Sequence, residues 1–276
     1  MGAVVRGVRP VYPLAALLVL VSLFPFAWMA LSSIKELREL YTVPPTWVPV
    51  APTLANYKKV VFASTIPRYF LNSVIIALGS TMIALVFAVP AAYGFARFQF
   101  RGRRFCQACI LAGQMLPTAA IIVPLFIVMR VLGLLNTYAG LIVVYLILTL
   151  PLSVWMLIGY FRAIPFDIEE AAIVDGASRL GVLLRITFPL SLPGVAAVLI
   201  YSFITAWNEF IFALCFALDS RVRTLPIGLA EFSTEFNTDW GAVMAASMVM
   251  TVPILVMFFA MQRLFISGLT SGATQG

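Results

Sequence analysis

Residues 138–161 read YAGLIVVYLILTLPLSVWMLIGYF, a run without one Lys, Arg, Asp, Glu or His. A helix rises about 1.5 Å per residue and a bilayer core is about 30 Å thick, so roughly 20 apolar residues cross it. This run is long enough. Five more apolar runs surround it: 11–31, 72–96 and 105–129 on one side, 193–217, which carries the single carboxylate Glu209, and 242–262 on the other. Of 276 residues, 62% are hydrophobic and 11% charged, where a soluble domain carries roughly 25% charged residues. The mean hydropathy is +1.04. These figures predict an all-α polytopic membrane protein, a single transmembrane domain over 1–276 with six membrane helices. The run at 11–31 is longer than a signal-peptide core of about 7–15 residues, and Ala27-Trp28-Met29-Ala30 is no small-x-small cleavage site, so it reads as a span. Prolines 25, 90, 117, 124, 151 and 253 fall inside the runs and predict kinks.

What the chain lacks narrows its chemistry. It has no histidine, which excludes Ser–His and Cys–His nucleophiles and imidazole metal sites. Lys35, Lys58 and Lys59 follow no glycine-rich loop, so the chain cannot hold ATP in a phosphate loop. Cys106 and Cys109 form a C-x-x-C with no second pair; they and Cys215 are expected to be small buried packing residues. No catalytic group and no metal site are expected. The net charge of +7 falls in the gaps between apolar runs, which suits anionic headgroups rather than nucleic acid.

Six spans put both termini on one side. Placing that side in the cytoplasm puts ten basic residues inside (Arg6, Arg9, Arg97, Arg101, Arg103, Arg104, Arg162, Arg179, Arg185, Arg263) and the other eight of the 18 outside. Four arginines crowd the turn Arg97 to Arg104, while five outer charges spread over 32–70. Density therefore favours an N-in, C-in arrangement under the positive-inside rule.

The connection 162–192, after the fourth run, begins Arg-Ala-Ile-Pro-Phe-Asp-Ile-Glu-Glu-Ala-Ala-Ile-Val-Asp-Gly. Pro165 suits a first helical turn, Asp167 with Glu170 has capping-box spacing, and Gly176 marks a helix end. A short helix is expected, with Ala172 and Gly176 as a small-residue patch. Two readings fit it: an interfacial helix anchored by Phe166, Ile168 and Ile173, or a docking helix for another protein.

Glu170-Ala171-Ala172, then Gly176, Ile186 and Pro189, resembles the E-A-A-x-x-x-G-(x)9-I-x-L-P signature of permease subunits of ATP-binding-cassette importers, with Phe188 in place of the usual leucine. Pro44-Pro45, Thr53-Leu54, Asn56-Tyr57, Tyr93 to Arg104, Trp207-Asn208-Glu209-Phe210 and the tail Gln262-Arg263 through Gly268-Leu269-Thr270 extend the likeness to the second permease of maltose- and trehalose-type carbohydrate importers. The resemblance implies a cytoplasmic coupling helix between the fourth and fifth spans, whose Glu170, Ala171, Ala172, Gly176, Ile186 and Pro189 contact an ATPase. It also implies a companion permease, two cytoplasmic ATPase subunits that carry ATP and Mg, and an external solute-binding protein, with this chain binding no cofactor. A bacterial inner-membrane location and import of a disaccharide such as trehalose or maltose follow from it; glycerol phosphate or another polyol is the alternative cargo. A secondary transporter fits poorly, because the spans supply one carboxylate of note, Glu209, and no histidine.

At 100° per residue, Tyr201, Ser202, Thr205, Asn208 and Glu209 fall within an arc of about 120° on the fifth run. A carboxylate at mid-membrane costs about 2.5–3.5 kcal/mol on insertion scales, so Glu209 is expected to face the bundle or water. Two roles fit the stripe: a sugar path, with Tyr201 and Phe212 as aromatic faces, or interhelical hydrogen bonding at about 0.6 kcal/mol each. Gln114 and Thr118 form a second, smaller candidate. The outer segment 218–241 reads as a solvated loop, and 32–70, rich in proline and aromatics, as rim packing. The tail 267–276 is too polar to fold alone.

Overall fold

The computed structural model describes residues 11–234 and 237–273. In chain order its helices are α1 (Val11–Ser33), α2 (Leu37–Leu40), α3 (Ala55–Phe62), α4 (Ile66–Arg97), α5 (Arg103–Ala112), α6 (Thr118–Val131), α7 (Tyr138–Ala163), α8 (Phe166–Val174), α9 (Arg179–Val182), α10 (Phe188–Leu190), α11 (Leu192–Trp207), α12 (Ile211–Phe216), α13 (Leu225–Ala230) and α14 (Trp240–Ala273). A 3₁₀ turn, Gly113–Met115, follows α5, and a π-helical turn, Leu183–Thr187, joins α9 to α10. No β-strand occurs among the described residues, only one isolated bridge, Ser233 to Thr238. Glu235 and part of the tail 267–276 lie outside the described residues; α14 continues through Ala273, beyond the run that hydropathy marked.

Four helices are long and apolar enough to cross a membrane, and six spans result when two bent pairs each count as one. The expected span 105–129 is one such pair: α5 with its 3₁₀ turn and α6 meet at 100°. Pro117 is the cause. A residue before proline is pushed out of the helical region, and Leu116 is extended at φ −71°, ψ 129°, with Pro117 at ψ 130°. Pro25, Pro90, Pro124, Pro151 and Pro253 instead lie inside unbroken helices. The second bend, 80°, falls at Ser191 between the Arg179–Leu190 stretch and α11. The fifth run is not one helix either: α11 ends at Trp207, and α12 starts again at Ile211.

The chain divides into two compact units, Met1–Pro67 with Gly228–Val252, and Arg68–Ile227 with Pro253–Gly276. In the first, the segment after α1 is tied together by polar groups, with Lys35 buried and Glu39 and Asn56 half-buried. Lys35, 2% exposed, donates to the Thr46 carbonyl and lies over the Trp28 ring at 4.8 Å. Asn56 donates to the carbonyls of Ser33 and Lys35 at 3.0 and 2.9 Å. Glu39 accepts from Thr46 Oγ1 at 2.6 Å and from the Val50 N–H at 3.0 Å.

The second unit is built on α4, α7 and α11. Ala84, Ala88 and Ala92, all 0% exposed, put small side chains at i, i+4 and i+8 of α4, where a neighbouring backbone can approach. Tyr93, Leu157, Phe161, Leu183 and Val198 complete the core around them. Gly194 lets α11 pass the Tyr160 ring of α7, into which any Cβ at that position would run. Ser153 and Ser202 join the same two helices by a 3.0 Å hydroxyl pair. The segment after α12 is more than a solvated loop: Val222, Thr224, Leu225 and Ile227 are buried. Asn72 donates to the carbonyls of Arg221 and Arg223 at 3.0 and 2.8 Å, and the Leu225 N–H reaches Ser73 Oγ at 2.7 Å. Cys106 and Cys109 are exposed and Cys215 half-buried, so the packing role expected of them is absent.

Candidate functional site

Helix α8 occupies the connection in which a short helix is expected. Its start differs from the capping box read from the spacing. Pro165 is the N-cap, with extended ψ of 135°, and no side chain caps the first turn. Asp167 therefore stands inside the helix, where its charge favours the N-terminus without reaching the N–H groups a cap would take. The C-terminus is a Schellman motif. The Gly176 N–H donates to Ile173 O at 3.0 Å, the Ala177 N–H to Ala172 O at 2.9 Å, and Gly176 has φ +89°. Glu170, Ala171, Val174 and Gly176 are exposed, while Ala172 and Ile173 are half-buried. The helix thus presents a ridge with a small-residue end to the outside.

Its inner face is held by a residue that the signature does not include. Glu169 is 0% exposed. One carboxylate oxygen, Oε1, accepts from Arg97 Nε at 2.9 Å and from Thr187 Oγ1 at 2.8 Å; the other accepts from Tyr93 Oη at 3.0 Å. The Arg97 terminal nitrogen lies 2.8 Å from Oε1 and also donates to Ile164 O at 3.0 Å, and the guanidinium lies 5.8 Å over the Phe166 ring. Two ions taken out of water are tolerable only when paired and fully hydrogen-bonded, and this pair is both. The knot fastens α8 to the end of α4 and to the π-helical turn that carries Thr187 and Ile186. Ile186 is half-buried in that turn and Pro189 is exposed just beyond it. Sequence reading passed over Glu169, yet a signal existed: Phe166, Glu169 and Ile173 share one helix face at i, i+3 and i+7. An acidic residue on a face anchored by two apolar ones demands a buried partner.

The polar stripe expected on the fifth span is divided by the break after Trp207. Tyr201 and Thr205 remain half-buried on α11, with Thr205 Oγ1 bonded back to Tyr201 O at 2.8 Å. Asn208 is exposed and donates to Ile204 O at 3.0 Å. Ser202 turns to Ser153 instead. Glu209 sits in the break, where its two oxygens accept from the N–H groups of Phe212 at 2.7 Å and Ala213 at 2.9 Å, capping α12. Phe212, expected as an aromatic face for cargo, is 1% exposed and packs on Phe216 with ring centroids 5.9 Å apart. A buried ring in an aromatic pair has no free face. Gln114 is exposed in the 3₁₀ turn and donates to Leu148 O at 3.0 Å; Thr118, across the bend, is exposed. Among the described residues no three His, Cys, Asp or Glu side chains are grouped to hold a metal.

Residues 84–270 match the family of binding-protein-dependent transport system inner membrane components. The trehalose/maltose transport system permease protein MalG of Thermococcus litoralis is 40% identical over 265 residues, covering 95% of each chain. The sulfoquinovosyl glycerol transport system permease protein SmoH of Agrobacterium fabrum is 39% identical over 269 residues, 97% of this chain and 94% of that one. A chain in the crystal structure of a bacterial ABC transporter involved in the import of the acidic polysaccharide alginate has the same fold, with TM-score 0.79 at 23% identity over 94% of this chain and 98% of its own.

Proposed function

The chain belongs to the family of inner membrane components of binding-protein-dependent transport systems, and from that membership we propose that it forms half of the translocation pathway of an ATP-driven sugar importer. It is a permease subunit and not an enzyme; the ATPase is a separate subunit. In the proposed assembly a companion permease supplies the other half of the path, two cytoplasmic ATPase subunits carry ATP and Mg, and an external binding protein delivers the cargo. In this reading the chain lies N-in and C-in, with α8 on the cytoplasmic side in reach of an ATPase.

The observation that carries this reading is the two-sidedness of α8. Its outer ridge, with Glu170, Ala171 and Gly176 exposed and Ala172 half-buried at its edge, would meet an ATPase, while Glu169 is locked to Arg97 at the end of α4. A push on the ridge then reaches a membrane helix through a buried ion pair rather than through a loop. Ile186 and Pro189 move with the same body, because Thr187 shares the Glu169 carboxylate. Cargo would meet Tyr201, Thr205 and Asn208, with Gln114 as an outlying contact; Glu209 shapes this path by holding the break at 208–210.

The cargo proposed is a disaccharide such as trehalose or maltose. The name of the Agrobacterium relative favours a second reading, a glycosyl glycerol. ATPase activity of the co-assembled complex in lipid, with its binding protein loaded in turn with trehalose, maltose, sulfoquinovosyl glycerol and glycerol phosphate, separates these. Stimulation by one loaded cargo identifies it. An intact complex stimulated by none would overturn the sugar reading.

A further inference from the structure

The turn between α4 and α5 lines an open surface cavity of about 620 Å³ with Gln99, Phe100, Gly102, Arg103, Arg104 and Phe105. We infer that it is a binding site for the headgroup of an anionic phospholipid. Three features select that ligand, and none of them depends on which cargo the chain carries.

The first is charge. Arg101, Arg103 and Arg104 stand together, none is in an ion pair among the described residues, and no Asp or Glu occurs between Glu39 and Asp167. Arg97, the fourth arginine of the turn, is already committed to Glu169. Guanidinium forks match phosphate oxygens in pairs, and the cavity wall offers two of them with no acid to compete.

The second is the backbone. Gly102, at φ +87°, turns the chain sharply into α5 and caps it without a side chain, and the first turn of that ten-residue helix contains no acidic residue. The Arg103 N–H is bonded to Phe100 O at 3.3 Å and that of Cys106 to Gly102 O at 2.9 Å, which leaves the N–H groups of Arg104 and Phe105 and the helix's partial positive charge to an outside anion.

The third distinguishes a lipid from a free anion. Phe105 is 73% exposed, and Ala108, Cys109 and Ala112 follow it on the same face of α5 at i+3, i+4 and i+7, all exposed. The surface is therefore amphiphilic, cationic at the turn and apolar along the helix. A phosphate ion has no use for the apolar track. A phospholipid covers both parts at once, and α5 with α6 is a bent pair long and apolar enough to count as one span, an arrangement that would set the basic turn at headgroup depth.

The test uses the assembled importer in bilayer nanodiscs of phosphatidylcholine containing a minority of phosphatidylglycerol, followed by native mass spectrometry of the released complex. Phosphatidylglycerol should be retained over phosphatidylcholine, and Arg101→Gln, Arg103→Gln and Arg104→Gln should each weaken retention roughly fivefold. Inorganic phosphate should not displace it. Equal retention of the two lipids, or retention unchanged in the triple variant, overturns the proposal. Displacement by phosphate also overturns it and makes the site one for a free anion, while retention that appears only after the ATPase subunits are removed assigns the patch to a protein contact. Should the triple variant fail to assemble, Phe100→Trp in the otherwise unaltered complex keeps the test open. Brominated phosphatidylglycerol must quench it more strongly than brominated phosphatidylcholine, and equal quenching rejects the site.

Discussion

Glu169 and Arg97, 72 residues apart in the chain, form a buried ion pair that joins the outward-facing helix α8 to the last turn of α4. Removing one partner of such a pair leaves an uncompensated charge, at about 3–5 kcal/mol, whereas replacing both with apolar groups often costs little. Glu169→Ala should therefore destabilise the complex strongly, and Glu169→Leu with Arg97→Met should cost less than either change alone. Thermal unfolding of the four variants in detergent checks the stability cycle. The mechanical role has its own readout: the double variant, though stable, should hydrolyse ATP with weakened response to the loaded binding protein. Full stimulation in a stable double variant would reduce the pair to a packing feature.

Gly176 ends α8 at φ +89° and is exposed. An L-residue there costs about 1–2 kcal/mol, so Gly176→Ala should loosen the helix end with modest loss of transport. Gly176→Trp adds bulk to the ridge. It should insert normally, judged by the amount of protein in the membrane, and lose binding-protein-stimulated ATPase activity. Normal uptake by that variant would sink the docking role of the ridge.

The membrane architecture was legible because a bilayer demands long uncharged runs, and residues 138–161 announce one without ambiguity. What was not legible is where the runs break. Pro117 was visible as a helix breaker, but Pro90 and Pro151 lie in continuous helices, and sequence does not show which case holds. Glu209 joined the stripe only on the assumption of one unbroken helix. Its carboxylate caps a new helix instead, an option that a period of 3.6 does not display. Glu169 was hidden by its neighbour, since the signature singles out Glu170, and the partner that explains its burial lies on another helix.

The two oxygens of Glu209 accept from the N–H groups of Phe212 and Ala213, which caps the start of α12. Glu209→Gln retains one acceptor oxygen and should leave cargo affinity unchanged, with a small loss of stability. Glu209→Ala removes the cap and should cost about 1 kcal/mol, lowering uptake through the amount of folded complex rather than through affinity. Concentration dependence of uptake, read beside the melting temperature, separates the two. A raised half-saturation concentration for Glu209→Gln at unchanged stability would return Glu209 to the cargo path.

Asp239 tests the outer part of the chain through pH. It caps α14 by accepting from the Ala242 N–H at 3.0 Å and pairs with Lys59. Partial burial raises its carboxyl pKa, but the Lys59 hydrogen bond and charge, with the Ala242 and Gly241 N–H groups, outweigh that and hold it below the usual carboxylate value. A depressed pKa contributes stability that is present above the unfolded value of about 3.9 and is lost as pH falls through the folded one. The ion pair is half exposed on the Lys59 side, so its share should stay below about 1 kcal/mol and shrink with salt. Asp239→Asn keeps a capping oxygen and loses the charge. It should melt slightly below the wild type at pH 7 in low salt, and the gap should close both in high salt and below about pH 4. Asp239→Ala loses the cap as well, and its deficit of about 1 kcal/mol should persist in high salt. A gap between wild type and Asp239→Asn that is indifferent to both salt and pH would mean that the Lys59 pair contributes nothing and the cap alone holds the start of α14.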